Sequence, residues 1–347
     1  MDRFINFYKS MRKKRDIQKD YAFKYAFVGI GNHSLNNLYP IIDYLKIPLK
    51  YIVCKSEKTV NLVRQNYPSV IGTNDYEKVL NDPEINGIFI CSSPSTHFDL
   101  TNKALSAQKN VFTEKPVCLS ANELQQLIDA EKLSKGSCMV GMQKRFSTCT
   151  TLLTKRMKKE NIISYNYRFL VGAYPEGNAF WDIFIHPLDL TNFLFGESEV
   201  VSALKTQSDK GSVSILLHLK HKPNIIGTVE ISTQYAWMQA KEKLTVNTEA
   251  GVYEIDEHQQ LTYSPKPKTI FSIPTEKFIP YTPETQCLFN GNNFLPIFDN
   301  NQLVSQGFFG EIQSFINLCE KKSTKNNASL SSLINTYKIL ENPSFLV

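Results

Sequence analysis

A chain of 347 residues is long enough for about two ordinary domains, and a composition 42% hydrophobic and 12% aromatic supplies material for packed cores. The run of about 18 apolar residues that a membrane span needs is missing, and the stretch up to Lys24 lacks the apolar segment of a secretory signal, so a globular, cytoplasmic protein is expected. The net charge of +6 is local: residues 1–25 hold eight Lys or Arg against three Asp, leaving 31 basic and 30 acidic residues elsewhere, and a nucleic-acid partner is not expected.

In the N-terminal arm, residues 1–22, Phe4, Phe7, Tyr8 and Met11 recur at helical spacing beside a basic run. Such a helix suits an anionic surface. Because its apolar face is short, docking on its own domain or on another subunit is the expected use, and membrane association is disfavoured.

From Tyr25 to Met142, short apolar runs alternate with amphipathic ones. Strands are predicted over 25–30, 50–54, 87–92, 110–113 and 138–142, with helices over about 35–46, 57–66, 96–107 and 120–134, the last opened by Ser120 and Glu123 at capping-box spacing. Strands apolar at nearly every position predict a parallel sheet covered on both faces. After Gln143 the pattern predicts helices over 148–159 and 179–195 and strands over 161–171, 199–207, 211–220, 224–235, 242–248 and 251–256, which imply a mostly antiparallel sheet. A Pro-punctuated surface loop over 264–296 and helices over about 303–322 and 328–341 complete the expected order.

Seven scattered cysteines, with no C-x-x-C pair and no histidine cluster at metal-ligand spacing, read as reduced and mostly buried thiols, and no metal site is expected. "VGIGNHS" ends the first strand and opens the first helix, with Gly29 and Gly31 in the first two positions of G-x-G-x-x-G and Ser34 in the third. A tight turn and a bare backbone there let a pyrophosphate approach a helix N-terminus, so Gly29, Gly31, Asn32 and His33 are candidate dinucleotide contacts; two turn glycines are the plainer alternative. The second strand ends "VCKSE", with Lys55 and Ser56 where an acid would take the ribose hydroxyls of NAD. A cation and a hydroxyl suit a 2′-phosphate better, which favours NADP over NAD, although a lone lysine is usually a solvated one. "CSSPSTH" brings Ser92, Ser93 and Pro94 to the carboxyl edge of the sheet; His97 is either near the ligand or a first-turn residue of the next helix.

"NVFTEKPVCLS" sets Glu114, Lys115 and Pro116 where an apolar strand stops. With "VFTEKPV" the sequence resembles the glucose-fructose oxidoreductase and inositol dehydrogenase family, Gfo/Idh/MocA, supported by "FVGIGNHS", "FICSSPSTHFDLTNKALSAQKNVFTEKPV", "VGMQKRF" and "WDIFIHPLDLTNFLFG". The resemblance covers roughly residues 23–200 and the late helix "GFFGEIQSFINLC", and E-K-P followed about 70 residues later by D-x-x-x-H is specific only as a combination. It implies an α/β protein: an N-terminal Rossmann NAD(P)-binding domain, 23–145, and a C-terminal α/β domain, 146–347, whose large, mostly antiparallel open sheet serves substrate binding and homodimer or homotetramer contacts. By motif matching, Lys115 corresponds to the family's active-site lysine, and Asp182 and His186 to its acid and histidine. Ser34, the missing second-strand acid, and Asn178 where a second glycine is common depart from the family pattern.

Hydride transfer between a secondary alcohol and nicotinamide needs a group that exchanges the hydroxyl proton. Asp182 and His186 are four apart and on an α-helix would share a face, with His186 suited to acid or base work and Asp182 to binding a hydroxyl; a core histidine and a helix-start aspartate are the plainer alternatives. Lys115, beside an oxidised nicotinamide, would relay the proton or polarise a carbonyl. Glu114 is assigned to the cofactor's ribose side, Asp189 to helix packing or orientation, and Arg145 to the cofactor, the substrate or a surface ion pair. Tyr165, Tyr174 and Tyr235 are sugar-stacking walls or core residues. The expected function is an NAD(P)-dependent oxidoreductase acting on a ring carbon of a sugar or nucleotide sugar, the alternatives being an NAD-dependent glycosidase and a non-catalytic cofactor-binding regulator.

Overall fold

The computed structural model describes residues 2–17, 19–174, 177–209, 211–280, 283–292, 294 and 297–342. They form two compact units, the first built from residues up to Glu114 with Asp129–Met139 and Ile312–Asn326, the second from Lys115–Ile128, Val140–Glu311 and the residues from Asn327 onward.

The chain opens with helix α1, Asp2–Ile17, and strand β1, Lys24–Val28. A π turn, Ser34–Leu38, leads into α2, Tyr39–Leu45, followed by β2 (Leu49–Val53), α3 (Glu57–Asn66), β3 (Ile71–Thr73), α4 (Tyr76–Leu80), β4 (Ile85–Ile90), α5 (Pro94–Ser106), β5 (Asn110–Glu114), α6 (Ala121–Leu133) and β6 (Cys138–Gly141). The six strands lie in the order β3-β2-β1-β4-β5-β6, and the pairings among β1 to β5 are parallel. Ala26, Phe27, Ile88, Phe89, Ile90, Val111 and Phe112 are completely buried, as strands covered on both faces require. In the first unit Phe315 of the late helix packs on Phe89 and Phe112, ring centroids 5.0 and 5.8 Å away. Because the strand order reverses between β1 and β4, a crevice opens at their carboxyl ends.

β3 and α4 were not among the predicted elements: "IGT" and "YEKVL" are too short to express a period. At α6, Ser120 Oγ accepts from Glu123 N–H as the capping box predicts, while the Glu123 carboxylate takes the N–H of Leu119, one residue earlier than expected.

The second unit continues with α7 (Thr148–Met157), β7 (Ile162–Leu170), a π turn over Phe180–Phe184 and α8 (Ile185–Phe195). Next come β8 (Ser198–Gln207), β9 (Val213–His221), β10 (Ile225–Ser232), β11 (Lys241–Thr248), β12 (Gly251–Asp256), β13 (Gln260–Pro265), β14 (Thr269–Ile270), β15 (Ile273–Pro274) and β16 (Gln286–Asn290). The eight-stranded sheet runs β16-β13-β12-β11-β7-β10-β9-β8, antiparallel except where β7 and β10 pair in parallel. One face is buried: Val213, Ile215, Leu217 and Leu219 of β9 point inward while Leu216, His218 and Lys220 point to solvent. The expected loop over 264–296 is corrected in its described part, because β14 and β15 form a hairpin and β16 pairs with β13 as an edge strand.

The chain ends with α9 (Gln302–Ser305), α10 (Phe308–Cys319) and α11 (Ile334–Leu340). The single helix expected over 303–322 breaks at Gly307, where φ is +100° and a Cβ would come within 1.9 Å of the Gln143 carbonyl oxygen. None of the seven cysteines is in a disulfide; Cys91 is half-buried, Cys287 exposed and the others buried.

Candidate cofactor cleft and proton-transfer cluster

In the first unit a cavity of about 1050 Å³ opens at the carboxyl ends of β1, β2 and β4, lined among others by Gly29, Gly31, His33, Lys55, Ser56 and Ser92. It is built from the backbone up. Gly29 has φ +100°, and a Cβ there would meet the Cys91 carbonyl oxygen at 2.0 Å, so only glycine lets the turn after β1 press against the end of β4. Gly31 differs: a Cβ built there has nothing within 4 Å and would project into open space. The first helical bond runs from Leu35 N–H to Gly31 O, which makes Gly31 the cap of the helix facing the cavity.

Ser34, the departure from glycine or alanine, is buried, with its hydroxyl accepting from Gly31 N–H at 2.9 Å and donating to Gly31 O at 3.0 Å. The loop is thereby closed on itself while the next N–H groups, those of Asn32 and His33, begin the helix. A bare Gly31, a helix start and a cavity of this size fit a dinucleotide pyrophosphate.

At the end of β2, Lys55 is exposed and Ser56 caps α3, its Oγ accepting from Thr59 N–H at 3.2 Å. No carboxylate occupies either position. Across the crevice, Ser93 caps α5 and Pro94 is its first residue. His97 is a first-turn residue and buried, its Nε2 donating to Ser92 O at 3.1 Å; it holds the loop that carries Ser92 and Ser93. Thr59, Asn74 and Tyr76 also line the cavity and were missed, since single polar residues in loops and first helical turns carry no sequence signal. Burial pushes the Cys54 thiol beside the cavity up, so it stays protonated.

Glu114 ends β5 and is nearly buried, and His33 Nε2 lies 3.2 Å from its Oε1. Asn37 Nδ2 is 3.0 Å from His33 Nδ1, so the amide donates there and the other ring nitrogen is the one near the carboxylate. The His33–Glu114 bridge had no counterpart in the sequence reading, which assigned both residues to the cofactor separately.

Within the second unit, half-buried Lys115 donates from Nζ to the main-chain carbonyl of Asp182 at 2.5 Å. Asp182 lies in the π turn rather than on the regular helix expected, and His186 is the second residue of α8. The stacking assumed from 3.6 residues per turn is therefore altered by the wider turn. Pro187, five residues past Asp182, has no N–H to extend the π ladder onto that carbonyl, which accepts from Lys115 instead. The Asp182 carboxylate receives the N–H of Asn178 at 3.1 Å. A Cβ on Gly177 would meet Asp182 Oδ2 and Tyr174 Cε1 at 2.4 Å each, so the carboxylate and Tyr174 both sit against this glycine. Tyr174 makes an edge contact with Trp237, whose indole N–H donates to Ala173 O at 2.6 Å.

Arg145 is corrected. It is buried and fully engaged inside the second unit, donating to the Asp189 carboxylate through Nε at 2.7 Å and Nη2, and through Nη1 to Asn327 O at 2.7 Å and Ser332 Oγ at 2.8 Å. Its ion pair is thus buried and not on the surface, and Asp189 is its partner. Tyr165 is a core residue, stacked on Phe195 and bonded to His221, whereas Tyr235 is half exposed.

Residues 23–142 match the family described as "Oxidoreductase family, NAD-binding Rossmann fold", and residues 158–254 match the "GFO/IDH/MocA C-terminal domain". Over 138 residues the chain is 30% identical to the uncharacterized oxidoreductase YrbE of Bacillus subtilis, covering 37% of this chain and 40% of that protein. Myo-inositol 2-dehydrogenase of Thermotoga maritima is 25% identical over 133 residues, 35% of this chain and 40% of its own length. The aligned part thus spans about two fifths of these curated relatives. A dehydrogenase from Chromobacterium violaceum shares the fold with a TM-score of 0.79 at 18% identity, over 93% of this chain and 94% of its own. KijD10, a 3-ketoreductase from Actinomadura kijaniata in complex with NADP, has a TM-score of 0.69 at 13% identity, over 90% and 94% of the two chains. The chain belongs to the GFO/IDH/MocA family of oxidoreductases.

Proposed function

We propose that this protein is an NAD(P)-dependent oxidoreductase that moves a hydride to or from a ring carbon bearing a hydroxyl on a sugar, cyclitol or nucleotide sugar. The observation that carries the reading is the cavity at the β1/β4 reversal, floored by Gly31 with open space above its Cα. In this reading Gly29, Gly31, Asn32 and His33 hold the pyrophosphate, Ser92, Ser93 and Pro94 adjoin the ribose, and Glu114, beside His33, serves the cofactor's ribose side. The bound nicotinamide supplies the hydride acceptor or donor. NADP is favoured, because Lys55 and the capped start of α3 offer a cation and helix N–H groups to a 2′-phosphate where no carboxylate repels it.

Lys115, Asp182 and His186 act on the substrate. His186 takes or returns the hydroxyl proton, Lys115 polarises the oxygen on which charge develops, and Asp182 orients a neighbouring hydroxyl. Inositol 2-dehydrogenases among the curated relatives support a polyol substrate. A homo-oligomer formed through the solvent face of the eight-stranded sheet is part of the proposal, supported by exposed Leu204, Leu216 and Ile226 on that face.

Thermal-shift titration, first with NAD and NADP and then with sugars, cyclitols and nucleotide sugars, tests the reading. Stabilisation by NADP beyond that by NAD, followed by stoichiometric change of nicotinamide absorbance with one ligand class, is expected. Turnover without net cofactor consumption would point to the NAD-dependent glycosidase alternative, and cofactor binding with no turnover to a regulator.

A further inference from the structure

We propose that α1 is a docking helix for anionic membrane surfaces. Its apolar residues are not covered by the chain: Phe4 is 74% exposed, Phe7 61%, Tyr8 59% and Met11 57%. Their i, i+3, i+4, i+7 spacing aligns them on one face of the helix. Docking on its own domain, one of the two expected uses of this arm, is therefore not what the structure contains.

Around that face the helix is cationic, with Arg3, Lys9, Arg12 and Lys13 against Asp2. At about 100° per residue, Lys9 and Lys13 fall opposite the apolar stripe while Arg3 and Arg12 flank it. An apolar stripe bordered by cations lies in the plane of a lipid interface, its rings at headgroup depth and its cations on anionic headgroups. Among the described residues no helix is long and apolar enough to span a membrane, so attachment is peripheral.

Charge selects this occupant over others. A second copy would bring two basic helices together, and the rest of the chain, with 31 basic and 30 acidic residues, offers no acidic excess to receive them. A nucleic-acid duplex would use the cations but give no role to four exposed apolar side chains.

The test is co-sedimentation of the full chain with phosphatidylcholine vesicles, with and without phosphatidylserine. Binding at least about tenfold tighter to the anionic vesicles and weakened by added salt is expected. Phe4→Glu/Phe7→Glu abolishes it, Lys9→Glu/Lys13→Glu reduces it about tenfold or more, and the thermal transition of both variants stays unchanged. Failure to bind, equal binding to neutral vesicles, or full binding by the Phe4→Glu/Phe7→Glu variant would overturn the proposal. So would a concentration-dependent dimer, lost in that variant, that forms without vesicle binding; this outcome would assign the face to a second copy.

Discussion

The Lys115 ammonium is anchored on the main-chain carbonyl of Asp182, 2.5 Å away, and not on its carboxylate. The lysine is thus aimed by the path of the backbone through the π turn, while the carboxylate is aimed separately by the Asn178 N–H and by the space above Gly177. Gly177→Ala, whose Cβ would lie 2.4 Å from Asp182 Oδ2, displaces the carboxylate without touching Lys115. Turnover should fall about 10- to 100-fold with cofactor affinity unchanged, measured by steady-state kinetics beside a cofactor titration.

The two glycines of the first turn separate fold from binding. Gly29→Ala combines a φ of +100° with a contact of 2.0 Å to Cys91 O and should cost about 1–3 kcal/mol or more in chemical denaturation. Gly31→Ala meets nothing within 4 Å, so stability should hold while the added methyl weakens NAD(P) binding about tenfold or more. Equal effects of both substitutions on stability would contradict this division.

Arg145 and Asp189 form a buried pair whose removal from one side leaves an uncompensated charge. Asp189→Leu and Arg145→Leu should each destabilise the protein by about 3–5 kcal/mol, and Arg145→Leu/Asp189→Leu by clearly less than the sum of the single changes. Urea unfolding of the four proteins checks this.

His221 is buried as the neutral ring: Nδ1–H donates to Gly196 O at 2.7 Å and Nε2 accepts from Tyr165 O–H at 2.8 Å. Burial holds its pKa below the usual 6.5, with the Gly196 carbonyl partly opposing. Between the folded value and 6.5 the unfolded chain binds the proton more readily, so stability is full above pH 6.5 and is lost as pH falls through that window. His221→Gln, which does not titrate there, should remove this part of the slope of unfolding free energy against pH.

The sequence reveals those features that have a period or a motif. Strands buried on both faces, such as Ile85–Ile90, and alternating ones, such as Val213–His221, were legible because burial imposes a pattern on consecutive residues. Gly29 was legible because backbone geometry there excludes a side chain, and Gly31 because the dinucleotide motif calls for a bare backbone beside it. What stayed hidden depends on residues distant in sequence or on helix irregularity: the His33–Glu114 bridge, the π turn under Asp182, and the burial of Arg145 against Asp189, 44 residues away. A cation followed by an aromatic reads alike whether it meets solvent or a carboxylate in the core.

The central claim is hydride transfer assisted by Lys115 and His186, and single-turnover measurement of nicotinamide absorbance tests it most directly, with cofactor affinity followed in parallel. Once a substrate is in hand, Lys115→Ala and His186→Ala should each lower the single-turnover rate by about 100-fold or more while NADP still binds. Unchanged rates in both variants would contradict the assignment of the proton-transfer groups.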